Sequence, residues 1–490
     1  MANVTQRDSS APTAKETSGS RQRRVFVVTA LGAFMASLDL SIVNVAFPAL
    51  ERAFMHDSRA SLAWVITGYS IVFGSLLVVA GRTADRLGSR RIFFLGLGGF
   101  CFGSLLCGLA PSVPLLIAGR VVQGVGAATL LPASLSLLLD AFPAERRSHI
   151  VALWGGIGAL AVATGPSFGA ALITALGWRS AFFVNLPIGF AAWLLGRRVL
   201  TTSNGSRTTA SPDYVGVGLL TTSLALLVLA ISEGPNWRWL SGAVLGSFFA
   251  SALLGVFFIV RSRRHPDPVL DLELFRARSF SVANGATLLY AMGFFAMLLG
   301  NILFLTSVWH YSILRAGLAV TPAPLVVAVV SGPAGRAAGR FGFRAILITG
   351  FSVFAAGLAW LALRVGVRPN YLVEWLPGTL VVGVGIGLTF PVLSAAAVSS
   401  LQRDRFAVGS AVNQTARQVG GALGVATLVV ILGAPASGTV GLHRFEHLWW
   451  FSVASTSLAG VLCLGLGQSG THFKQSRTSR ASHHVNVTPP

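Results

Sequence analysis

Long runs of apolar residues recur along nearly the whole chain, and short polar segments separate them. Each run is about 20 residues long, the length that an α-helix needs to cross roughly 30 Å of hydrocarbon. The runs do not alternate between apolar and polar positions, as the strands of a membrane β-barrel do. The pattern therefore predicts an all-α membrane protein with fourteen transmembrane helices. The predicted spans are residues 25–50, 61–80, 92–110, 113–139, 149–174, 180–200, 214–232, 241–260, 280–307, 317–333, 345–365, 374–399, 406–433 and 448–468.

One polar link returns in degenerate form 254 residues further on. GRTADRLGSRR (81–91) and GRAAGRFGFRA (335–345) share glycine, alanine or arginine at six positions. A second segment, GVGAATLLP (124–132), returns as GVGIGLTFP (383–391), 259 residues on. Because the two offsets nearly agree, the chain contains two related halves. Internal repeats of this kind are typical of membrane transporters.

The repeat also predicts how the chain is divided. Two six-helix halves with a substrate held between them near the midplane correspond to the major facilitator fold, and spans seven and eight form an inserted hairpin. The predicted units are a disordered cytoplasmic N-terminal tail (1–24), an N-terminal six-helix half (25–200), a linker with two inserted transmembrane helices (201–279), a C-terminal six-helix half (280–469) and a cytoplasmic basic tail (470–490).

The chain has 37 Lys and Arg against 16 Asp and Glu, a formal net charge of +21. A protein that binds a polyanion concentrates such charge in one patch, whereas here the basic residues are spread over every second link. This distribution follows the positive-inside rule, so we expect both termini in the cytoplasm and a multi-pass protein of the plasma (inner) membrane. It argues against nucleic acid as a partner. The three cysteines have no metal-ligand spacing, and no metal site is expected.

Six short motifs follow one another along the chain. They are LDLSIVNVAFPAL (38–50), GRTADRLGSRR (81–91), RVVQGVGAA (120–128), GPSFG (165–169), GWRSAFFVNLPIG (177–189) and NQTARQVGGALG (413–424). In this order they resemble the motifs of the fourteen-span drug:proton antiporters of the major facilitator superfamily, and the resemblance covers roughly residues 25–470. It implies export of lipophilic or amphipathic drugs by alternating access, with the proton gradient as driving force and no cofactor.

Asp39 is the only carboxylate that the pattern places deep inside a span, and Arg120 is one of two equally deep cations. At about 1.5 Å per residue, Asp39 lies roughly 16 Å from the outer end of span one and Arg120 roughly 10 Å from that of span four, so the two can face each other. Intramembrane charges usually mark ion paths, and in the family that the chain resembles the matching arginine is implicated in proton coupling. The pair is therefore either a proton-coupling site or a fixed ion pair that orders the first half.

The link at 81–91 combines glycines with charges, and the resemblance implies that it is a latch of the outward-open state. Its residues are Gly81, Asp85, Arg86, Gly88, Arg90 and Arg91. We expect Gly81 and Gly88 to permit tight turns, and Asp85 to meet the positive end of span three or a neighbouring arginine. The second copy has Gly339 in place of Asp85, so any latch charge is expected in the first half alone.

Span five contains Gly165, Pro166 and Gly169, which resemble the family's antiporter motif. Proline removes a helix hydrogen bond and kinks the span, while the glycines allow another helix to pack closely. Ala161 and Ala170 stand where the family usually has glycine.

Polar side chains near the middle of several spans are candidates for a substrate cavity. They are Asn44, Tyr69, Gln123, Asn413, Gln414 and Arg417. Arg417 either holds an anionic group of the substrate or links two helices. Because Asp39 faces two deep arginines, neutral or anionic substrates are expected over cations.

The chain lacks a GxxxxGK[ST] phosphate loop, an HExxH pair and a GxSxG elbow. We therefore expect a transporter, not an enzyme, that interacts with a small-molecule substrate, protons and the lipid bilayer, and that functions as a monomer. The alternatives are an exporter of a natural metabolite, such as an amino acid or a self-made antibiotic, and a non-transporting membrane sensor with the same fold.

Overall fold

The computed structural model describes residues 13–200, 213–266, 268–401, 405–434 and 438–467, apart from a few side chains within these ranges, Asp85 among them. These residues form α-helices, with a 3₁₀ helix at Leu272–Arg276 and a π-helical segment at Tyr371–Trp375, and contain no β-strand. The helices are α1 (Thr13–Ala53), α2 (Arg59–Leu87), α3 (Ser89–Leu109), α4 (Val113–Ala141), α5 (Ala144–Leu176), α6 (Ser180–Phe183), α7 (Asn185–Val199), α8 (Tyr214–Trp237), α9 (Gly242–Arg264), α10 (Arg278–Ser307), α11 (Ile313–Val320), α12 (Pro322–Phe341), α13 (Phe343–Arg364), α14 (Leu376–Val398), α15 (Phe406–Leu432) and α16 (Gly438–Cys463).

The predicted all-α membrane fold is confirmed. Helices α6 and α7 together form the sixth span and α11 and α12 the tenth, while each of the others corresponds to one span. In the part of the chain that the structure describes, thirteen helical segments are long and apolar enough to cross a membrane. The fourteenth, α16, is 26 residues long. Its first half carries His443, Arg444, Glu446 and His447, which lower its hydropathy.

Some predicted boundaries are wrong. Helix α1 begins at Thr13, so the tail predicted to be disordered at 1–24 is helical from that residue onward. Extending a helix costs little once it has been nucleated, which explains why α1 continues into polar sequence. Residues 1–12, the link at 201–212 and the predicted basic tail at 470–490 lie outside the described residues.

The link predicted at 81–91 is almost entirely helical. Helix α2 continues through Gly81 to Leu87 and α3 begins at Ser89, so the turn expected at Gly81 does not form. Gly88 alone makes the turn with φ at 91°, and Gly342 makes the corresponding turn of the second half at 87°. Residues with a Cβ rarely adopt this conformation. The repeated glycine is therefore a repeated helix-to-helix turn.

The helices on either side of α8 and α9 pack in the same order. Helix α4 packs along α2 and α3, and α14 packs along α12 and α13 in the same way. A Cβ on Gly126 of α4 would collide with the backbone of Phe100, and one on Gly385 of α14 with that of Phe354. Gly126 and Gly385 occupy the same place in the two GVG segments. The sequence repeat is thus also a repeat of close helix packing.

The first group of helices, α1–α7, meets the second group, α10–α16, along a seam. At this seam α2 packs against α15, and α5 packs against α11. A Cβ on Gly74 would lie 2.9 Å from the Cβ of Gln418, and Thr415 Oγ1 donates to the Gly74 carbonyl at 2.8 Å. At one end of the seam, Arg59 Nη1 donates to the Gly433 carbonyl at 3.2 Å. The seam is therefore closed at the end where α2 begins and α15 ends.

The inserted helices lie outside this seam. Val228 of α8 packs with Ile71 of α2 and Ala422 of α15, so α8 covers the line where the two groups meet. Helix α9 is attached through α8, since Ser223 and Ser251 each donate to the carbonyl of the other at 2.8 Å. The inserted pair therefore does not separate the two groups.

The segment after α9 crosses the opposite end of the seam. Arg82 Nη1 donates to the Pro268 carbonyl at 2.8 Å, and Leu274 packs between α2 and α15. Arg405 Nη1 lies 3.7 Å from the Asp271 carboxylate. This segment therefore ties the end of α2 to the beginning of α15.

Candidate functional site

A buried ion pair joins α1 to α4. Arg120 Nη1 donates to Asp39 Oδ2 at 2.6 Å. Asp39 Oδ1 accepts two more hydrogen bonds, from Gln123 Nε2 at 2.7 Å and from Asn185 Nδ2 at 3.0 Å. All three partners donate, so the arrangement suits an ionised carboxylate. The structure thus places in direct contact the two charges that the sequence puts at similar depths.

The Arg120 side chain is held on several sides. Its Nε donates to the Val65 carbonyl of α2 at 2.8 Å, and Nη1 also donates to Gln123 Oε1 at 2.7 Å. Its guanidinium carbon lies 4.2 Å from the centroid of the Tyr69 ring. A buried ion pair is tolerated only when its remaining donors and acceptors are satisfied in this way.

Two members of this network, Asn185 and Ser104, are not among the residues predicted from the sequence. Ser104 Oγ accepts from Asn185 Nδ2 at 2.8 Å and from Gln123 Nε2 at 2.9 Å. Asn185 did carry a signal, because an amide inside an apolar span must find a polar partner. Ser104 carried none, since serine is common in membrane helices.

The geometry couples the charge of Asp39 to helix packing. Asp39 has 0% exposure and Arg120 1%, so the carboxylate is closed to solvent in this conformation. Breaking one side of a buried pair costs about 3–5 kcal/mol, because the other charge is left unpaired. A change in the charge of Asp39 therefore acts directly on the contact between α1 and α4.

Helix α5 runs through Pro166, and α1 compensates for the lost hydrogen bond. Proline has no N–H to donate to the carbonyl four residues earlier, which belongs to Val162. Ser41 Oγ donates to that carbonyl at 3.1 Å. A Cβ on Gly165 would lie 2.5 Å from Ser41 Oγ. The residues of the antiporter motif therefore bring α5 against the same turn of α1 that carries Asp39.

We expect Ser41→Ala to destabilise the protein by about 1 kcal/mol, because it leaves the Val162 carbonyl, which Pro166 cannot bond, without a donor. Thermal unfolding of the purified protein in detergent measures this loss. Ser75→Ala is the matched control, since Ser75 is also buried but its Oγ donates to the Ile71 carbonyl of its own helix at 2.8 Å. Equal effects of the two substitutions would contradict the role given to Ser41.

Pro166 also faces the second group of helices. A Cβ on Gly317 of α11 would lie 2.6 Å from the Pro166 carbonyl oxygen and would collide with the Ala170 methyl group. The backbones of α5 and α11 therefore touch at this point. Through Ser41 and Pro166, direct contacts lead from the turn of α1 that carries Asp39 to the seam.

Arg417 of α15 lies in the second group. Its Nη2 donates to Ser394 Oγ of α14 at 2.7 Å, and its guanidinium carbon lies 4.2 Å from the centroid of the Phe390 ring. Unlike Arg120, it has no carboxylate partner among the described residues.

Most of the other candidate cavity residues are not exposed to open space in this structure. Tyr69 and Gln123 are completely buried beside the ion pair, and Asn44 donates to the Leu40 carbonyl of its own helix at 2.6 Å. Asn413 is buried and donates to Thr287 Oγ1 at 2.8 Å, which links α15 to α10. Gln414, like Arg417, is partly exposed.

The residues expected to form a latch lie at the ends of α2 and α3. Arg90 stacks on Phe94, with 5.8 Å from its guanidinium carbon to the ring centroid, and Arg91 is exposed. Arg86 lies in the last turn of α2 and also has an interaction partner. The Asp85 side chain lies outside the described ones, so its expected partner stays a prediction. Within the described residues, no group of three or more His, Cys, Asp or Glu is arranged to hold a metal ion.

Comparison with known proteins identifies the family. The profile of the Major Facilitator Superfamily matches residues 29–213 and 213–425. The multidrug resistance protein Stp of Mycobacterium tuberculosis is 33% identical over 86% of this chain and 78% of its own length. The tetracenomycin C resistance and export protein of Streptomyces glaucescens is 30% identical over 83% of this chain and 75% of its own length.

A solved structure supports the fold. The crystal structure of an auto-inhibited peptide transporter of the POT family superimposes with a TM-score of 0.64, at 16% identity, over 96% of this chain and 99% of its own. At this identity the similarity concerns the fold alone. With the family established, the expectation of a transporter and not an enzyme is confirmed.

Proposed function

The chain belongs to the drug-efflux transporters of the Major Facilitator Superfamily, and from this premise we propose that it exports lipophilic or amphipathic drugs across the plasma membrane in exchange for protons. The observation that carries the proposal is the Asp39–Arg120 pair, a carboxylate with 0% exposure held by three donors. Neutral polar side chains could link α1 to α4 at this depth, whereas proton exchange requires an ionisable group there.

The proposed cycle uses the two groups of helices as alternately opening halves. When the site opens, a proton reaches Asp39, the ion pair loosens, and α1 moves relative to α4. Because α1 contacts α5 through Ser41 and α5 contacts α11 at Gly317, this movement reaches the seam. Release of the proton on the other side restores the pair. Both termini lie in the cytoplasm in this scheme, and a monomer contains the whole machinery.

The proposal predicts drug export that follows the proton gradient. In proteoliposomes, an imposed pH gradient should drive drug movement and a protonophore should reduce it to the level of empty liposomes. Drug movement should also carry protons in the opposite direction, which a pH-sensitive dye inside the liposomes detects. Export that persists with the protonophore, or that moves no protons, contradicts antiport.

A second candidate is export of a natural antibiotic. It is favoured by the name of one relative, a resistance and export protein for tetracenomycin C. A panel of natural and synthetic compounds in the same liposomes separates a dedicated exporter from a polyspecific one. A non-transporting sensor is disfavoured, because the complete Asp39–Arg120 network is present.

A further inference from the structure

Among the described residues, Arg417 has no negative partner, unlike the other deep arginine. Arg120 pairs with Asp39 at 2.6 Å, whereas the part of the chain that the structure describes gives Arg417 one hydrogen bond, to Ser394 Oγ at 2.7 Å, and leaves its buried Nε without a partner. A guanidinium carries five N–H donors. The described residues satisfy only one of these donors, and an unpaired charge inside a membrane protein is costly.

The surroundings of Arg417 are aromatic. The guanidinium stacks on Phe390, whose ring centroid lies 6.5 Å from that of Tyr290. Tyr290 in turn stacks on Phe294, with the centroids 5.5 Å apart and the planes at 16°. Tyr290 is buried, while Arg417, Phe390, Phe294 and Ser394 are partly exposed. Arg417 therefore lies at one end of a chain of aromatic rings, and the side chains at the two ends of this chain, Arg417 and Phe294, are partly exposed.

The charge balance of the site favours one class of ligand. The Asp39–Arg120 pair is neutral overall, so Arg417 gives the described polar residues of the interior a net positive charge. An organic cation is repelled by this charge, and a neutral compound leaves the guanidinium unpaired. A planar acid group satisfies it, because a guanidinium and a carboxylate match in a bidentate geometry.

We propose that Arg417 binds the acid group of an aromatic, anionic substrate, whose rings pack against Phe390 and Phe294. The proposal rests on the export function proposed above and names the substrate class. Arg417 would be a specificity-determining residue, since the acid group is the part of the ligand that it contacts. A plain link between α14 and α15 would need no guanidinium donors beyond the one that bonds Ser394 Oγ.

The test compares aromatic carboxylates with their uncharged amides, which have nearly the same shape. Naphthalene-2-carboxylate, biphenyl-4-carboxylate and salicylate, each with its amide, are titrated onto the purified full chain, and the shift in unfolding temperature gives the dissociation constant. We expect wild type to bind at least one carboxylate about tenfold or more tightly than its amide, and Arg417→Gln to abolish this preference. Arg417→Lys, which keeps the charge but not the planar fork, should retain part of it.

The matched control is Arg364→Gln. Arg364 ends α13, is exposed and stacks on Trp360 at 5.5 Å, so its substitution removes one positive charge from the same group of helices. It should leave the preference for carboxylates unchanged. Equal binding of carboxylates and amides by wild type, or an unchanged preference in Arg417→Gln, overturns the proposal.

The liposome assay separates this proposal from the function on which it rests. If proton-driven export of neutral or cationic drugs is found and Arg417→Gln leaves it unchanged, the export function stands and the anion site is wrong. If wild type exports no compound in response to the pH gradient, the export function itself fails, whatever the binding titrations show.

Discussion

Asp39→Asn is expected to reduce proton-driven export to the level of empty liposomes. Asparagine keeps the shape of the side chain but cannot take up and release a proton. It also leaves Arg120, with 1% exposure, without its charge partner, which costs about 3–5 kcal/mol. The substitution should therefore remove both the coupling and part of the stability. Proton influx into liposomes and thermal unfolding measure the two effects separately.

The double variant Asp39→Asn, Arg120→Gln separates coupling from structure. Removing both charges avoids the unpaired arginine, so the double variant should regain much of the stability that Asp39→Asn loses. If Asp39 carries the proton, export should stay absent even though the fold has recovered. Recovery of proton-driven export in the double variant would show that the pair is a structural link and nothing more.

Some features of this protein are fixed strongly enough by physics to be predicted from the sequence. The bilayer demands apolar runs of about 20 residues, which makes the helices visible in the hydropathy pattern. A charge in such a run is rare, so Asp39 and Arg120 stand out, and the structure brings them to 2.6 Å. Depth along each span was sufficient here because both residues face the interior of the same group of helices.

Other features depend on how each helix is rotated about its axis, which depth alone does not define. Asn413 was predicted to line a cavity, but it is turned toward Thr287 of α10. The contact of Ser41 with the Val162 carbonyl joins residues of two different motifs, and neither motif indicates the other. The ends of helices are equally hard to predict, because a membrane helix can continue into polar sequence at little cost. Helix α2, for example, continues through Gly81 to Leu87.

Gly317→Ala is expected to slow export by weakening the contact between α5 and α11. The new methyl group collides with Ala170 and comes 2.6 Å from the Pro166 carbonyl oxygen. Overpacking of this kind costs about 1–3 kcal/mol, which shifts an equilibrium between two conformations by about 5- to 150-fold. The contact between α5 and α11 is present in this conformation, in which the seam is closed near Arg59 and Gly433. Weakening it should therefore favour the conformation that is open at that end.

The opening can be measured at Ala60, which follows Arg59 and is 3% exposed. In an Ala60→Cys background, Gly317→Ala should accelerate labelling by a membrane-impermeant maleimide and slow drug export in the same liposomes. Gly332→Ala and Gly335→Ala are matched controls on α12, since a Cβ at either position meets nothing within 4 Å. Adding Ala170→Gly to Gly317→Ala should restore part of the export, because it removes one of the two collisions. Labelling at the wild-type rate in Gly317→Ala would show that the α5–α11 contact does not hold this end closed, and would remove Pro166 from the path that joins Asp39 to the seam.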